Sequence, residues 1–132
     1  MTDTVSLEVT REAEPLSLVH MVLGGVASRR DISFDALDDL QLAVDNILAE
    51  DVPARGPLQM IVTVSDTSVD IRLQPLHNAT LRSTLIDGKV PSGAEERCID
   101  VCLLLRSLVD RFSVTPLDDD AFGVDISKRL GV

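Results

Sequence analysis

Aromatic residues are almost absent from this 132-residue chain, which contains three Phe and neither Trp nor Tyr. The hydrophobic core must therefore be built mainly from Leu, Val and Ile. The same shortage argues against a surface that binds single-stranded nucleic acid by stacking bases on aromatic rings. The hydrophobic fraction of 45% nevertheless indicates a folded protein, since disordered chains lack the apolar surface that folding buries. At this length a single domain spanning residues 1–132 is expected.

Positive charge is also scarce, with 12 Lys and Arg against 22 Asp and Glu and a formal net charge of −10. Phosphate backbones are repelled by such a balance, so no nucleic-acid partner is expected. Two interpretations of the acidity remain open. It favours a basic protein partner through complementary charge, or it only keeps the domain soluble.

Cysteine and histidine occur twice each. Cys98 and Cys102 lie four residues apart in an apolar helical segment, where one helix holds them too far apart for a disulfide. Both are predicted to be buried, reduced thiols. His20 and His77 are distant from each other and show no metal-ligand spacing, so no metal site is predicted. The sequence shows no secretory signal pattern and no apolar stretch of about 18 residues, so we expect a cytosolic protein without membrane association.

The most regular pattern lies in residues 34–50, which predict one amphipathic helix. Ser33 precedes this segment as a suitable N-cap, and the aspartates of the first turns suit the helix dipole. The apolar residues recur at spacings of 3, 4 and 3 and are expected to share one buried stripe: Leu37, Leu40, Val44 and Ile47.

The remaining patterns predict five strands and two further main helices. The strands are expected at 5–9, 58–64, 69–73, 112–115 and 122–127, and the helices at 15–28 and 95–110. Residues 74–93 lose any period and are predicted to form a loop. The interior of the last helix, 99–105, is apolar almost all round, which predicts deep burial. Together these elements indicate an α+β fold, a two-layer α/β sandwich with three main helices on a mostly antiparallel sheet.

The helix 39–50 (D-L-Q-L-A-V-D-N-I-L-A-E) resembles the N-box of the GHKL ATP-binding superfamily. The resemblance is greatest to its RsbW-type anti-sigma-factor serine kinases, which carry D-L-x-x-A-V-x-E-x-x-x-N. Segments 107–114 (S-L-V-D-R-F-S-V) and 123–130 (G-V-D-I-S-K-R-L) are also similar to that family. The resemblance implies the Bergerat-like form of the α+β sandwich.

The two functional letters of the N-box are exchanged in this chain. In the family the Glu acts as general base and the Asn holds magnesium, whereas here Asn46 and Glu50 occupy those places. An amide has no useful proton affinity near neutral pH, so Asn46 cannot replace the base. Glu50 keeps oxygens that suit magnesium.

The other nucleotide-binding motifs of the family are also altered. Its adenine-binding Asp and the following glycines fall near Gln74, where neither residue type occurs. Its phosphate-facing glycines fall near Ile99 and Val101, where this chain has no glycine. Only Gly93 remains, at the edge of the expected phosphate-binding region. The resemblance thus implies a degenerate nucleotide pocket of Asn46, Glu50, Gln74 and Gly93. We predict no catalytic residue and no kinase activity, with neither ATP nor magnesium as a required cofactor.

By resemblance, the expected function is that of an anti-sigma factor that sequesters a sigma factor by protein–protein binding. A STAS-type anti-anti-sigma protein would release the sigma factor, and the chain would form a homodimer. The family's contact arginine falls at His20, which makes the candidate partner strip Leu16, Val19, His20 and Leu23. Two alternatives remain open: an active serine kinase that phosphorylates a STAS protein with Glu50 or a nearby Asp as its base, and a non-catalytic scaffold.

Overall fold

The computed structural model describes residues 2–11, 15–52, 56–87, 96–118 and 120–130. These residues form five strands and four helices in the order β1 (Asp3–Thr10), α1 (Pro15–Arg29), α2 (Phe34–Glu50), β2 (Pro57–Val64), β3 (Ser68–Leu76), α3 (Ala79–Asp87), α4 (Glu96–Leu108), β4 (Arg111–Asp118) and β5 (Ala121–Arg129). The strands make one antiparallel sheet in the order β1-β2-β3-β5-β4. The predicted α+β two-layer sandwich is confirmed.

Each strand places alternate side chains on opposite faces of the sheet, as strand geometry requires. On β2 and β3 the buried side chains point towards the helices and the intervening positions are only half-buried. The predicted hairpin between these strands is confirmed, because the Ser65 backbone N–H donates to the Ser68 carbonyl at 2.9 Å. Val124 and Ile126 of β5 also share the buried face, as predicted.

Helix α2 has the bounds that its sequence predicts. Ser33 is extended and its hydroxyl accepts the Ala36 backbone N–H at 3.2 Å, so it caps the helix. Of the predicted stripe, Leu40, Val44 and Ile47 are no more than 2% exposed, and Leu37 packs half-buried against them. The amphipathic pattern therefore positions α2 on the sheet through one continuous apolar face.

The turn from α1 into α2 depends on Asp31, which has a positive φ of 55°. This left-handed residue lets the Ile32 backbone N–H reach back to the Ala27 carbonyl at 2.9 Å. The contact satisfies one of the carbonyls that a helix end leaves without a partner. Asp is one of the few non-glycine residues that tolerate this conformation.

The predicted loop at 74–93 is wrong over most of its described part. Residues 74–76 extend β3, and residues 79–87 form α3. Asn78 caps this helix by accepting the Leu81 backbone N–H at 2.8 Å. Leu81 and Leu85, one turn apart, are buried and hold α3 on the core. Residues 88–95 lie outside the described part of the chain.

The expectation that α4 is buried all round is also wrong. Val101, Cys102 and Leu105 face the core, whereas Leu103 is 55% exposed and Leu104 is 37% exposed. The helix packs against α2 and α3, and Leu103 and Leu104 face solvent. Cys102 is a free, buried cysteine as predicted, while the Cys98 side chain lies outside the described part. No described helix is long and apolar enough to cross a membrane.

Replacing Ser33 by alanine removes the cap of α2 and is expected to lower the free energy of unfolding by about 1 kcal/mol. Urea unfolding followed by far-ultraviolet circular dichroism measures the change. Ser28→Ala, at an exposed position within α1, is the matched control and should not destabilise the protein, because alanine favours a helix more than serine does. Equal losses in both variants would contradict a capping role for Ser33.

Candidate functional site

Asn46 and Glu50, the two residues that the resemblance predicts to lie in a nucleotide pocket, are one turn apart on α2. The Asn46 side-chain amide donates to the Leu42 carbonyl of its own helix at 2.7 Å. The Asn46 amide therefore forms its hydrogen bond within its own helix. Across the described ranges, no group of three or more His, Cys, Asp or Glu is placed to hold a metal ion.

Gln74 faces away from these residues. Its side-chain amide donates to the Gln59 side-chain oxygen at 2.9 Å, while Leu73 and Leu76 on either side of it are buried in the core. Because neighbouring strand positions point to opposite faces, the sheet separates Gln74 from α2. Of the four predicted pocket residues, the structure brings together only Asn46 and Glu50, and Gly93 lies outside the described residues. The position at which the resemblance predicts an adenine acceptor, Gln74, therefore lies across the sheet from the positions that it predicts for the base and the magnesium ligand.

A polar cluster that the sequence does not predict lies at the end of α2. Asp51 is 1% exposed, and one of its oxygens accepts the backbone N–H groups of His77 and Asn78 at 2.7 Å each. Its other oxygen lies 3.5 Å from the guanidinium of Arg11, which also donates to the Pro75 carbonyl. This cluster joins the end of β1, the end of α2 and the start of α3. No signal in the sequence links Arg11 to Asp51, because the fold alone brings them together.

The predicted partner strip on α1 is only partly accessible. Val19 and Leu23 are 0% and 3% exposed and belong to the core. They cannot touch a partner that docks on the folded domain, so the strip as predicted needs this correction. Leu16 is exposed, and His20 forms a hydrogen bond to Asp45 of α2 at 2.7 Å.

A wider apolar surface is exposed on the solvent side of three helices. Helix α2 contacts both α1 and α4. We call the following set the helical outer face: Leu18 and Met21 of α1, Leu42 of α2, and Leu103 and Leu104 of α4. Their exposed fractions range from 37% for Leu104 to 70% for Met21. Single exposed apolar residues are ordinary, but a set carried by neighbouring helices is typical of a surface that binds another protein.

Helix α2 brings negative charge to the helical outer face. Helix α2 carries five acidic residues and no basic one. Asp45 pairs with His20, and Asp39 pairs with Lys128 at 3.0 Å. Asp38 lies one turn before Leu42 on the same face of the helix and is exposed. The surface thus combines exposed apolar side chains with exposed carboxylates.

Two comparisons with known proteins found no match to this chain. No family model matches the sequence, and no curated protein is significantly similar to it. The functional inference therefore depends on the residues and on the geometry described above.

Proposed function

We propose that this chain is an anti-sigma factor that sequesters a sigma factor by binding it and does not transfer phosphate. The observation that carries the proposal is the helical outer face, where apolar side chains of three helices lie beside the acidic residues of α2. A complementary partner surface presents apolar side chains flanked by Lys or Arg. Such charge pairing increases the association rate and disfavours acidic competitors.

The absence of phosphate transfer is part of the same proposal. Asn46 occupies the place of the family's general base, and its amide donates to the Leu42 carbonyl. An amide cannot accept the proton of an attacking hydroxyl, so the inhibition we propose is steric occlusion of the sigma factor. ATP and magnesium are then not required. A competing STAS-type anti-anti-sigma protein releases the sigma factor, and the chain acts as a homodimer in the cytosol.

The direct test mixes the purified chain with each purified sigma factor of the same organism. Titration calorimetry measures binding, and transcription from a promoter of the captured sigma factor measures inhibition. We expect one sigma factor to bind with the same Kd whether or not Mg-ATP is present. Failure of every sigma factor to bind would refute the proposal. Transfer of labelled phosphate from ATP to a STAS protein would favour the serine kinase instead.

The double variant Met21→Glu/Leu42→Glu tests the location of the binding surface. It places two carboxylates on the helical outer face, and we expect the Kd for the captured sigma factor to rise by at least about 30-fold, equivalent to about 2 kcal/mol. Both side chains are largely exposed, so the free energy of unfolding should change by about 0.5 kcal/mol or less per site.

Leu117→Glu is the matched control for this variant, because Leu117 is a 44% exposed leucine on β4 rather than on a helix. It makes the same leucine-to-glutamate change as one half of the double variant and should leave the Kd within about twofold of the original. Binding of the double variant with an unchanged Kd would remove the helical outer face as the docking surface, even where the chain still binds a sigma factor.

A further inference from the structure

A cleft lined by arginine lies beside the edge strand β4. One cavity of about 650 Å³ lies between residues of β3, β4 and β5 and the connection from α4 to β4. A second cavity of about 380 Å³ adjoins it and shares Asp110, Arg111 and Ser127 with it. Arg106 lines the larger cavity and Arg129 lines the smaller one. We refer to the two cavities together as the arginine cleft.

The three arginines of this cleft have no carboxylate partner among the described residues. Four basic side chains elsewhere form ion pairs with aspartates: Arg11, Arg30, Arg72 and Lys128. Within the described part of the chain, Arg106, Arg111 and Arg129 form no such pair. Carboxylates are in excess in this protein. Three unpaired guanidinium groups around one cleft therefore favour an anionic ligand from outside the chain.

Asp125 lines the larger cavity. It does not offset the charge of the three arginines, because its carboxylate is paired with Arg72. Arg72 donates two hydrogen bonds to its carboxylate, at 2.8 and 3.0 Å, and the Thr115 hydroxyl lies 3.2 Å from the same group. The hydrogen bond to Asp125 raises the pKa of Arg72, so this guanidinium stays charged. The charge of Asp125 is therefore balanced by that of Arg72.

The other two carboxylates of the cleft also have donors. The Arg129 backbone N–H donates to Asp110 at 2.6 Å, and the Ser68 hydroxyl donates to Asp70 at 3.3 Å. These contacts reduce the repulsion that either aspartate would exert on a bound anion. Hydrogen bonds from uncharged donors do not cancel the charge of a carboxylate, so the three guanidinium groups exceed the carboxylates without a basic partner, Asp70 and Asp110, by one.

We propose that the arginine cleft binds a small phosphorylated molecule with an apolar body. Arg111 and Arg129 hold the phosphate in the smaller cavity, which is also lined by two residues with hydroxyl groups, Thr67 and Ser127. Planar guanidinium groups and hydroxyls together match the several acceptor oxygens and the double charge of a phosphate monoester better than they match one carboxylate. Val109 and Phe112 line the larger cavity and contact the apolar body. Its volume lies within the range of about 300–1,000 Å³ that small-molecule sites occupy.

The test is a titration of the full ¹⁵N-labelled chain with phenyl phosphate, followed by amide chemical shifts at constant ionic strength. Saturable shifts are expected at residues 67–68, 110–113 and 127–129. Phenyl phosphate should bind more tightly than inorganic phosphate, and phenol should give no saturable shift. Benzoate separates the two anion types, because it should bind more weakly than phenyl phosphate. Tighter binding of benzoate, or shifts confined to other regions, would overturn the proposal.

Arg111→Gln should weaken phenyl phosphate binding by about tenfold, because it removes a charge-assisted contact common to both cavities. Arg129→Gln should weaken it by a similar factor, so one poorly folded variant does not prevent the test. Arg29→Gln is the control, since Arg29 is an exposed arginine at the end of α1 and its loss removes the same charge. If Arg29→Gln weakens phenyl phosphate binding equally, the attraction is non-specific, and a specific site in the arginine cleft would be contradicted. The inference is independent of the anti-sigma proposal.

Discussion

Replacing Asp51 by alanine is expected to lower the free energy of unfolding by about 3–5 kcal/mol, the typical cost of removing one partner of a buried ion pair. Asp51 and Arg11 have side chains that are 1% and 5% exposed. Asp51 also accepts the backbone N–H groups of His77 and Asn78. Alanine leaves the Arg11 charge without this carboxylate and two part-buried backbone N–H groups without this acceptor. The loss is large against a typical total stability of about 5–15 kcal/mol.

Urea unfolding followed by circular dichroism measures this effect, since a chain without Trp or Tyr has no useful intrinsic fluorescence. Asp51→Asn should lose less stability than Asp51→Ala, because its side-chain oxygen can still accept the two N–H groups. Asp66→Ala is the matched control, since Asp66 is 75% exposed and lies 3.4 Å from Arg30. Its loss should cost about 1 kcal/mol or less. Similar losses for Asp51→Ala and Asp66→Ala would contradict a structural role for the buried cluster.

The parts of the fold that were predicted correctly are those with a strong local signal. Helix α2 combines a capping serine with an apolar stripe several turns long, and both its bounds are predicted from the sequence. The strands were predicted from their alternation, with ends that differ by a few residues. Helix α3 was missed because its apolar positions, Leu81 and Leu85, cover a single turn. Asn78 was a usable signal, since asparagine is among the best N-cap residues.

The exposed side of α4 shows a different limit of sequence reasoning. Leu103 and Leu104 are as apolar as the buried Leu105. Periodicity cannot identify the buried side of a helix that is apolar all round. Only the packing of α4 against α2 and α3 decides which leucines face solvent. Two of the residues on the helical outer face were therefore beyond prediction, and they are the ones that a local pattern would place in the core.

The candidate sites depend on contacts between distant segments. Gln74 was placed beside α2 by alignment to a family motif, but the pairing of β2 with β3 turns its side chain to the opposite face of the sheet. A shift of one position along a strand reverses the face, so motif alignment near a strand end gives little information on direction. The arginines of the arginine cleft were missed for the same reason. The pairing of β4 with β5 places Arg111 opposite Ser127, and no short motif contains both.

Phe122→Ala is expected to lower the free energy of unfolding by about 3–5 kcal/mol, the usual cost of deleting a buried aromatic side chain. Phe122 is 1% exposed and is among the largest fully buried side chains of the core. It lies opposite Leu76 on one side and Pro116 on the other, and the Arg82 guanidinium lies 6.0 Å from the ring centroid. In a core made mainly of branched aliphatic residues, no neighbouring aromatic ring is available to fill the cavity. Thermal and urea unfolding by circular dichroism measure the loss.

Phe34→Ala makes the same chemical change at the other extreme of burial, because Phe34 is 84% exposed at the start of α2. It should change the free energy of unfolding by about 0.5 kcal/mol or less. The difference between the two phenylalanine variants isolates burial, since the deleted atoms are identical. A loss for Phe122→Ala as small as that for Phe34→Ala would mean that the junction of β3, β4 and β5 rearranges to fill the cavity. The wall of the arginine cleft is built on those same strands, so that outcome would also predict altered phenyl phosphate binding in the Phe122 variant.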